Sequence, residues 1–183
     1  MVKQGYDQCA KNYLEERDFF KNQKYLDDLV KKLKKGSNIL DIGCGAGIPI
    51  DKFLIEKGFN VTGIDISPEQ IKLAKKNLPK GKFLTKDMSK IDFPNDSFEA
   101  IVSFYAIFHI NRKEHQKLFK KLFLILKIGG YLLVTMGPDE WEGVEDFHGV
   151  KMWWSHYGSD KSVEIIKNAG FKIIYDKICR YRQ

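Results

Sequence analysis

Residues 38–47 read Asn-Ile-Leu-Asp-Ile-Gly-Cys-Gly-Ala-Gly, and no other stretch constrains the fold as strongly. Ser37 to Ile42 form a short apolar run that reads as a strand entering glycines. Three glycines, Gly43, Gly45 and Gly47, let the chain turn tightly and bring backbone close to a ligand. Pro49 then sits at a favoured first helical position, and Ile50, Phe53 and Leu54 carry a helix to its stop at Gly58.

The rest of the chain repeats this alternation. Helices are predicted over 6–20 and about 22–35, the latter with Tyr25, Leu26, Leu29, Val30 and Leu33 on its apolar face. Val61–Ile66 reads as a second strand. Ser67-Pro68-Glu69-Gln70 is a capping box with proline at its first position, opening a helix through Leu78. Lys82–Thr85 is a third strand, and Glu99–Tyr105 is a fourth, apolar in its middle as a doubly buried strand should be. Asn111 with Glu114 can cap the next helix, ended by Gly129-Gly130, and Tyr131–Met136 is a fifth strand. Ser159 or Asp160 caps a last helix that stops at Gly170, before a final strand over Phe171–Ile178. Strands separated by helices predict one α/β domain over 1–183: a three-layer sandwich with a mostly parallel twisted sheet. Ligands of such sheets sit at the carboxyl ends of the strands, at the topological switch point.

The spacing of the glycines discriminates between ligands. A dinucleotide fingerprint starting at Gly43 requires glycine at 48, where Ile48 stands. A phosphate loop needs Gly-Lys-Ser/Thr, which does not follow. Asp41 would sit awkwardly beside a pyrophosphate but suits a ligand bearing an ammonium and a sulfonium. Asp65 ends the second strand, 22 residues after Gly43, where a carboxylate can accept both ribose hydroxyls. Asp87 ends the third strand and is followed by Met88, a carboxylate for an adenine amino group and an apolar side chain for the ring. Any one strand-end aspartate is commonly a cap. Three at successive strand ends after a glycine loop are harder to explain that way.

These residues resemble the class I S-adenosylmethionine-dependent methyltransferases, in particular the type 11 methyltransferase domain, over roughly residues 6–175. The first motif of that family matches Ile39–Gly47, its ribose acid Asp65, its adenine-side pair Asp87-Met88, its fourth motif Asp92–Ser103, and its Gly-Gly strand entry Leu126–Val134, with Ile128 where proline is usual. The resemblance implies S-adenosyl-L-methionine as cofactor and S-adenosyl-L-homocysteine as product. It implies a cofactor set of Tyr13, Asp41, Gly43, Cys44, Gly45, Gly47, Asp65, Ile66, Asp87, Met88 and Ser103, and a Rossmann-like sheet ordered 3-2-1-4-5-7-6. Tyr6-Asp7, Ala10 and Tyr13 resemble the helix that closes over the cofactor, so 6–35 are cap helices, with Tyr13 a contact to the methionine end or a packing residue. After the last helix only one strand is found. Either the seventh strand is missing or another chain completes the sheet edge as a homodimer.

Methyl transfer from a sulfonium is an in-line displacement that needs alignment, and a base only where the acceptor loses a proton early. Candidates follow the fourth strand: Phe104, Tyr105 and His109, with His109 a base or a loop-holding residue. Residues 137–158 form a long insert holding Trp141, Trp153, Trp154, His156 and Tyr157, and five acids, Asp139, Glu140, Glu142, Glu145 and Asp146, against Lys151. Segments of this kind are commonly functional. The insert is read as a lid over the acceptor pocket with a preference for a cationic or amine-bearing acceptor, Phe104, Tyr105, Trp141, Trp153, Trp154 and Tyr157 lining it and His156 a second proton acceptor. The alternative is a solvated acidic rim over a small aromatic core. The histidines are not at metal spacing, and no metal is expected.

Net charge is +7, but all except four of the 31 cationic residues are Lys. Arginine is the better residue for phosphate and base contacts, so a lysine-rich surface is favoured over nucleic-acid binding. No apolar run reaches the length of a membrane span. Cys9, Cys44 and Cys179 make neither a disulfide framework nor a zinc pattern, and a reducing cytoplasm is the expected compartment. There is no Asn/Asp-Pro-Pro-Tyr/Phe motif and no Pro-Cys nucleophile after the fourth strand, which disfavours the nucleobase and glutamine methyltransferases that use them. The reading is methyl transfer to a small-molecule acceptor; the alternatives are an RNA or protein methyltransferase, or a non-catalytic protein retaining the fold.

Overall fold

A computed structural model of the chain describes residues 1–15 and 22–178, the side chains of 11–15 excepted. The expected contact of Tyr13 therefore lies outside the described residues.

Five parallel strands build the sheet: β1 (Asn38–Ile42), β2 (Asn60–Asp65), β3 (Lys82–Thr85), β4 (Phe98–Ser103) and β5 (Leu126–Val134), in the order β3-β2-β1-β4-β5. The central strands are in tight register, Ile39 beside Val61 and Ala100, Asp41 beside Gly63 and Val102. Their period of two sends alternate residues to opposite faces. Leu40, Ile42, Ile64 and Ile101 pack on one side with Phe119, Leu122 and Ile125 of α5 (His115–Ile125) and Ile165 of α6 (Ser159–Asn168). Ile39, Val61, Ala100 and Val102 pack on the other with Leu26 and Leu29 of α2 (Gln23–Val30) and Leu54 of α3 (Ile50–Glu56). The sheet is thus covered on both faces, as its uninterrupted apolar strands require. α1 (Val2–Glu15) and α4 (Pro68–Asn77) meet over the carboxyl ends of the strands. The strand order reverses between β1 and β4, and the crevice opens there.

Several boundaries differ from those expected. α5 ends at Ile125, and Gly129-Gly130 lie inside β5. Phe98 pairs with Leu126 while Ala100 pairs with Tyr131, so the intervening chain bulges, and Gly129 takes the required φ of +77°. Asn111 caps a short 3₁₀ turn, Arg112–Glu114, that precedes the helix. Gly158 is the N-cap of α6, with neither Ser159 nor Asp160 capping it. The expected strand over 171–178 does not form. Phe171 packs edge-on against Phe123, and Tyr175 stacks on Tyr25 at 5.4 Å. Ring contacts hold this segment, and it enters neither sheet, so strands six and seven of the expected order are absent among the described residues.

The insert is ordered as an antiparallel hairpin, β6 (Trp141–Phe147) and β7 (Val150–His156). His148 and Gly149 form its two-residue turn, with φ of +48° and +78°. Two left-handed residues match the right-handed twist of a hairpin. The hairpin packs on α1 through β7, and Met152 is fully buried.

Candidate cofactor and acceptor site

The glycine turn is built by close packing. A Cβ on Gly43, whose φ is +77°, would stand 2.2 Å from the Ala106 Cβ. Gly45 N–H donates to Asp65 Oδ2 at 2.9 Å, and Ser67 N–H donates to Oδ1 at 2.9 Å. Two backbone donors fix the carboxylate while leaving lone pairs for a ligand. Ser67 Oγ accepts from Gln70 N–H at 3.1 Å and donates to Asp7 Oδ1 at 2.5 Å, tying α1 to the start of α4.

These elements enclose a cavity of about 40 Å³. Gly43, Gly45, Asp65, Ile66, Met88, Phe104, Tyr105 and His109 line it, together with Val2, Tyr6, Gln70 and Ala106. Tyr105 has a φ of +58°, a strained conformation held from two sides. Its N–H donates to Thr135 Oγ1 at 2.7 Å, and its hydroxyl accepts from Asn22 Nδ2.

His109 is the most constrained polar group. Its Nδ1 lies 2.8 Å from the Trp153 carbonyl oxygen, and its Nε2 lies 2.8 Å from the Tyr6 hydroxyl. A carbonyl only accepts, so Nδ1 carries the proton and Nε2 accepts from Tyr6 O–H. Burial pushes its pKa down to about 4, against a smaller raising effect of the Trp153 carbonyl. The ring is neutral at pH 7, with its lone pair aimed at the cavity wall.

Other expected residues stand behind this wall. Cys44 is buried, its thiol beneath the turn and close to Gly63. Gly47 faces Leu78 and Ala74, where a Cβ would touch the Leu78 methyl at 2.8 Å, so it serves the packing of α4. Asp41 is 1% exposed under the turn. The Asp87 carboxylate caps the turn Met88–Lys90, accepting from Ser89 N–H and Oγ. Ser103 Oγ donates to the Ile42 carbonyl at 2.8 Å and clamps β4 to β1.

The hairpin aromatics lie outside the cavity lining. Trp154 packs on His109 at 4.4 Å between centroids and on Phe108 at 5.1 Å, so it backs the histidine. Trp153 contributes its carbonyl. Trp141 is half exposed, and Tyr157 lies under the Arg112 guanidinium. His156 Nδ1 faces the Asp139 carbonyl at 2.7 Å and the ring sits against Gly137, outside the lining of this cavity. Glu140 and Glu142 pair with Arg112, and Asp146 with Lys151, so three of the insert's acids are spent on surface partners. Tyr6 lies on the wall as the resemblance of its helix to a cofactor-covering helix implied, whereas Gln70 and Asn22 are lining or supporting residues that the sequence did not single out. Gln70 was visible only as half of a capping box.

The chemistry of this wall is that of a nucleoside site: a glycine turn that a Cβ would fill, a fixed ribose-type carboxylate, and Ile66 and Met88 as apolar walls. Fold and site define a class I, S-adenosylmethionine-type domain. The methyltransferase-domain family matches residues 40–134. The chain belongs to that family, and S-adenosyl-L-methionine is the cofactor of its fold. Among relatives, it is 38% identical over 106 residues to the 2-methyl-6-phytyl-1,4-hydroquinone methyltransferase of a Synechocystis species, covering 56% of this chain and 33% of that one. It is 34% identical over 152 residues to an uncharacterized methyltransferase of Bacillus cytotoxicus, covering 81% of this chain and 62% of that one. The chain thus spans between a third and under two thirds of the length of these two relatives. A SAM-dependent methyltransferase of Methanosarcina mazei superposes with a TM-score of 0.70 at 26% identity, covering 81% of this chain and 85% of that one.

Proposed function

We propose that the protein transfers a methyl group from S-adenosyl-L-methionine to a small-molecule acceptor that gives up a proton, with Tyr6 and His109 as the proton path. The observation that carries this is the Tyr6–His109–Trp153 chain, with both of its hydrogen bonds at 2.8 Å, on the wall of the cofactor cavity. When bound, S-adenosyl-L-methionine supplies an already activated methyl group and leaves as S-adenosyl-L-homocysteine.

The chain's residues bind and orient. Gly43 and Gly45 admit the ligand to the backbone, Asp65 accepts from the ribose hydroxyls, and Ile66 and Met88 flank the adenine. Asp87 caps the turn Met88–Lys90 on which the adenine-side wall stands. Phe104 and Tyr105 bound the acceptor side. Trp154 excludes water from the His109 ring, which keeps it neutral and able to take a proton from Tyr6 as the Tyr6 oxygen takes one from the acceptor. The cavity as it stands is far smaller than a nucleoside, so Val2 and Tyr6 of α1 lift to admit ligands and close over them. The hairpin is the support of this lid, bearing on α1 through β7. A relative named for a phytyl hydroquinone supports an acceptor of small-molecule size.

The outer edge of β5, which pairs with no strand among the described residues and leaves Ile128 fully exposed, is the surface through which two copies associate. The buried thiols of Cys9 and Cys44 suit a reducing cytoplasm, and no helix among the described residues is long and apolar enough to cross a membrane. The activity test uses S-adenosyl-L-methionine with an isotopically labelled methyl group and a metabolite extract, with mass detection. A labelled small molecule is expected. Label confined to RNA or protein would replace this reading with a macromolecular one, and no labelled product in any fraction would leave the non-catalytic alternative.

A further inference from the structure

Gln70 is 1% exposed, on the wall of the cofactor cavity. Among the described residues, neither its Oε1 nor its Nε2 has a hydrogen-bond partner. A buried amide left unpaired is costly and uncommon. The local geometry says why it is unpaired. In a capping box the glutamine at this position reaches back to the N–H of the capping residue. Here that donor, Ser67 N–H, is already taken by Asp65 Oδ1 at 2.9 Å. Half of the box survives, Gln70 N–H on Ser67 Oγ, and the side-chain amide is released toward the cavity.

The other polar side chains of the wall are engaged. Tyr6 and His109 bond each other, the Tyr105 hydroxyl takes Asn22, and Asp65 takes two backbone donors. Asp65 is also an acceptor only, so it reads the hydrogens of a ribose diol and leaves the hydroxyl oxygens without donors. The neighbouring wall residues Ile66, Met88 and Ala106 have no side-chain donor to offer them. Resting on the cofactor assignment above, we infer that Gln70 binds the cofactor, its amide completing with Asp65 the recognition of the ribose hydroxyls. Asp65 accepts from the diol and Gln70 Nε2 donates to it.

The test is calorimetric titration of S-adenosyl-L-homocysteine, and of its 2′-deoxy and 3′-deoxy forms, into wild type, Gln70→Met and Gln70→Glu, with apo melting temperatures alongside. Gln70→Met keeps the volume and removes both polar atoms. It is expected to bind S-adenosyl-L-homocysteine about tenfold more weakly, while its apo melting temperature holds or rises because an unpaired amide is gone. Gln70→Glu, with a second carboxylate beside Asp65, is expected to lose at least as much, and keeps the test open if the methionine variant does not fold. On one of the deoxy ligands the penalty should shrink to less than twofold. Affinity for S-adenosyl-L-homocysteine within twofold of wild type in a folded variant overturns the inference. So does a penalty that is undiminished on both deoxy ligands. If wild type itself binds no S-adenosyl-L-homocysteine, the cofactor assignment fails and this inference falls with it.

Discussion

Adding one methyl group at Gly43 should damage both stability and ligand binding, by amounts the structure divides. Gly43 has a φ of +77°, where an L-residue is strained by about 1–2 kcal/mol. The added Cβ would also stand 2.2 Å from the Ala106 Cβ. Relieving that overlap moves backbone, at about 1–3 kcal/mol for overpacking. Gly43→Ala should therefore lose about 2–5 kcal/mol in urea unfolding. Ala106 is the N-cap of the turn Ile107–His109, so the displacement also carries His109 away from Tyr6. Affinity for S-adenosyl-L-homocysteine should fall at least tenfold. The two causes separate in a double-mutant cycle. Ala106→Gly removes the opposing Cβ, so Gly43→Ala with Ala106→Gly should regain the overlap share of about 1–3 kcal/mol relative to additivity, and retain the left-handed strain. A Gly43→Ala protein within about 0.5 kcal/mol of wild type, or a cycle with no coupling, would refute this account of the turn.

Three further outcomes follow from the same geometry. Asp65→Ala removes a fixed acceptor and should weaken S-adenosyl-L-homocysteine binding by about 1.5–3 kcal/mol by calorimetry; unchanged affinity would remove it from the ribose site. His109→Asn should lower kcat by about 10²–10⁴ on the identified acceptor with cofactor affinity changed less than threefold, and Tyr6→Phe, which removes the oxygen that takes the acceptor's proton, should lower it by a similar factor; equal rates in wild type and both variants would exclude a proton path through them. Burial pushes His109 and His115 down to about 4, so the unfolded chain takes up their protons first as pH falls below 6.5. Stability is full above about 6.5 and declines toward 4, by about 2 kcal/mol per histidine at pH 5, measurable as a shift of the urea midpoint; His115→Leu should remove its share of that pH dependence, and a flat profile between pH 7 and 5 would contradict the burial argument.

Where interactions are local, residue order alone was informative. The strand and glycine turn at 38–47, the Ser67 cap of α4 and the limits of β3 follow from side chains acting within a few residues of each other. The hairpin is encoded locally too: Trp141–Phe147 and Val150–His156 flank His148-Gly149, a two-residue turn signal. The bulge in β5 was less so, because Gly129-Gly130 can equally end a helix, and only packing on β4 decides. The alternating apolar residues of 171–178 favour a strand, but a strand exists only as a partner's ladder, and ring contacts took the segment elsewhere. Asp41, Asp65 and Asp87 looked equivalent in sequence. The fold separates them, exposing Asp65 to the cavity while Asp87 caps its own turn and Asp41 is buried. Tyr6 and His109 lie 103 residues apart, and Trp153 a further 44 along; no spacing rule joins them. What local chemistry determined was a cofactor-type turn on a parallel sheet. Which polar groups were left unpartnered on its wall, and so what the site can do, was decided by long-range packing, because a hydrogen bond is available to a ligand only when no neighbour has already taken it.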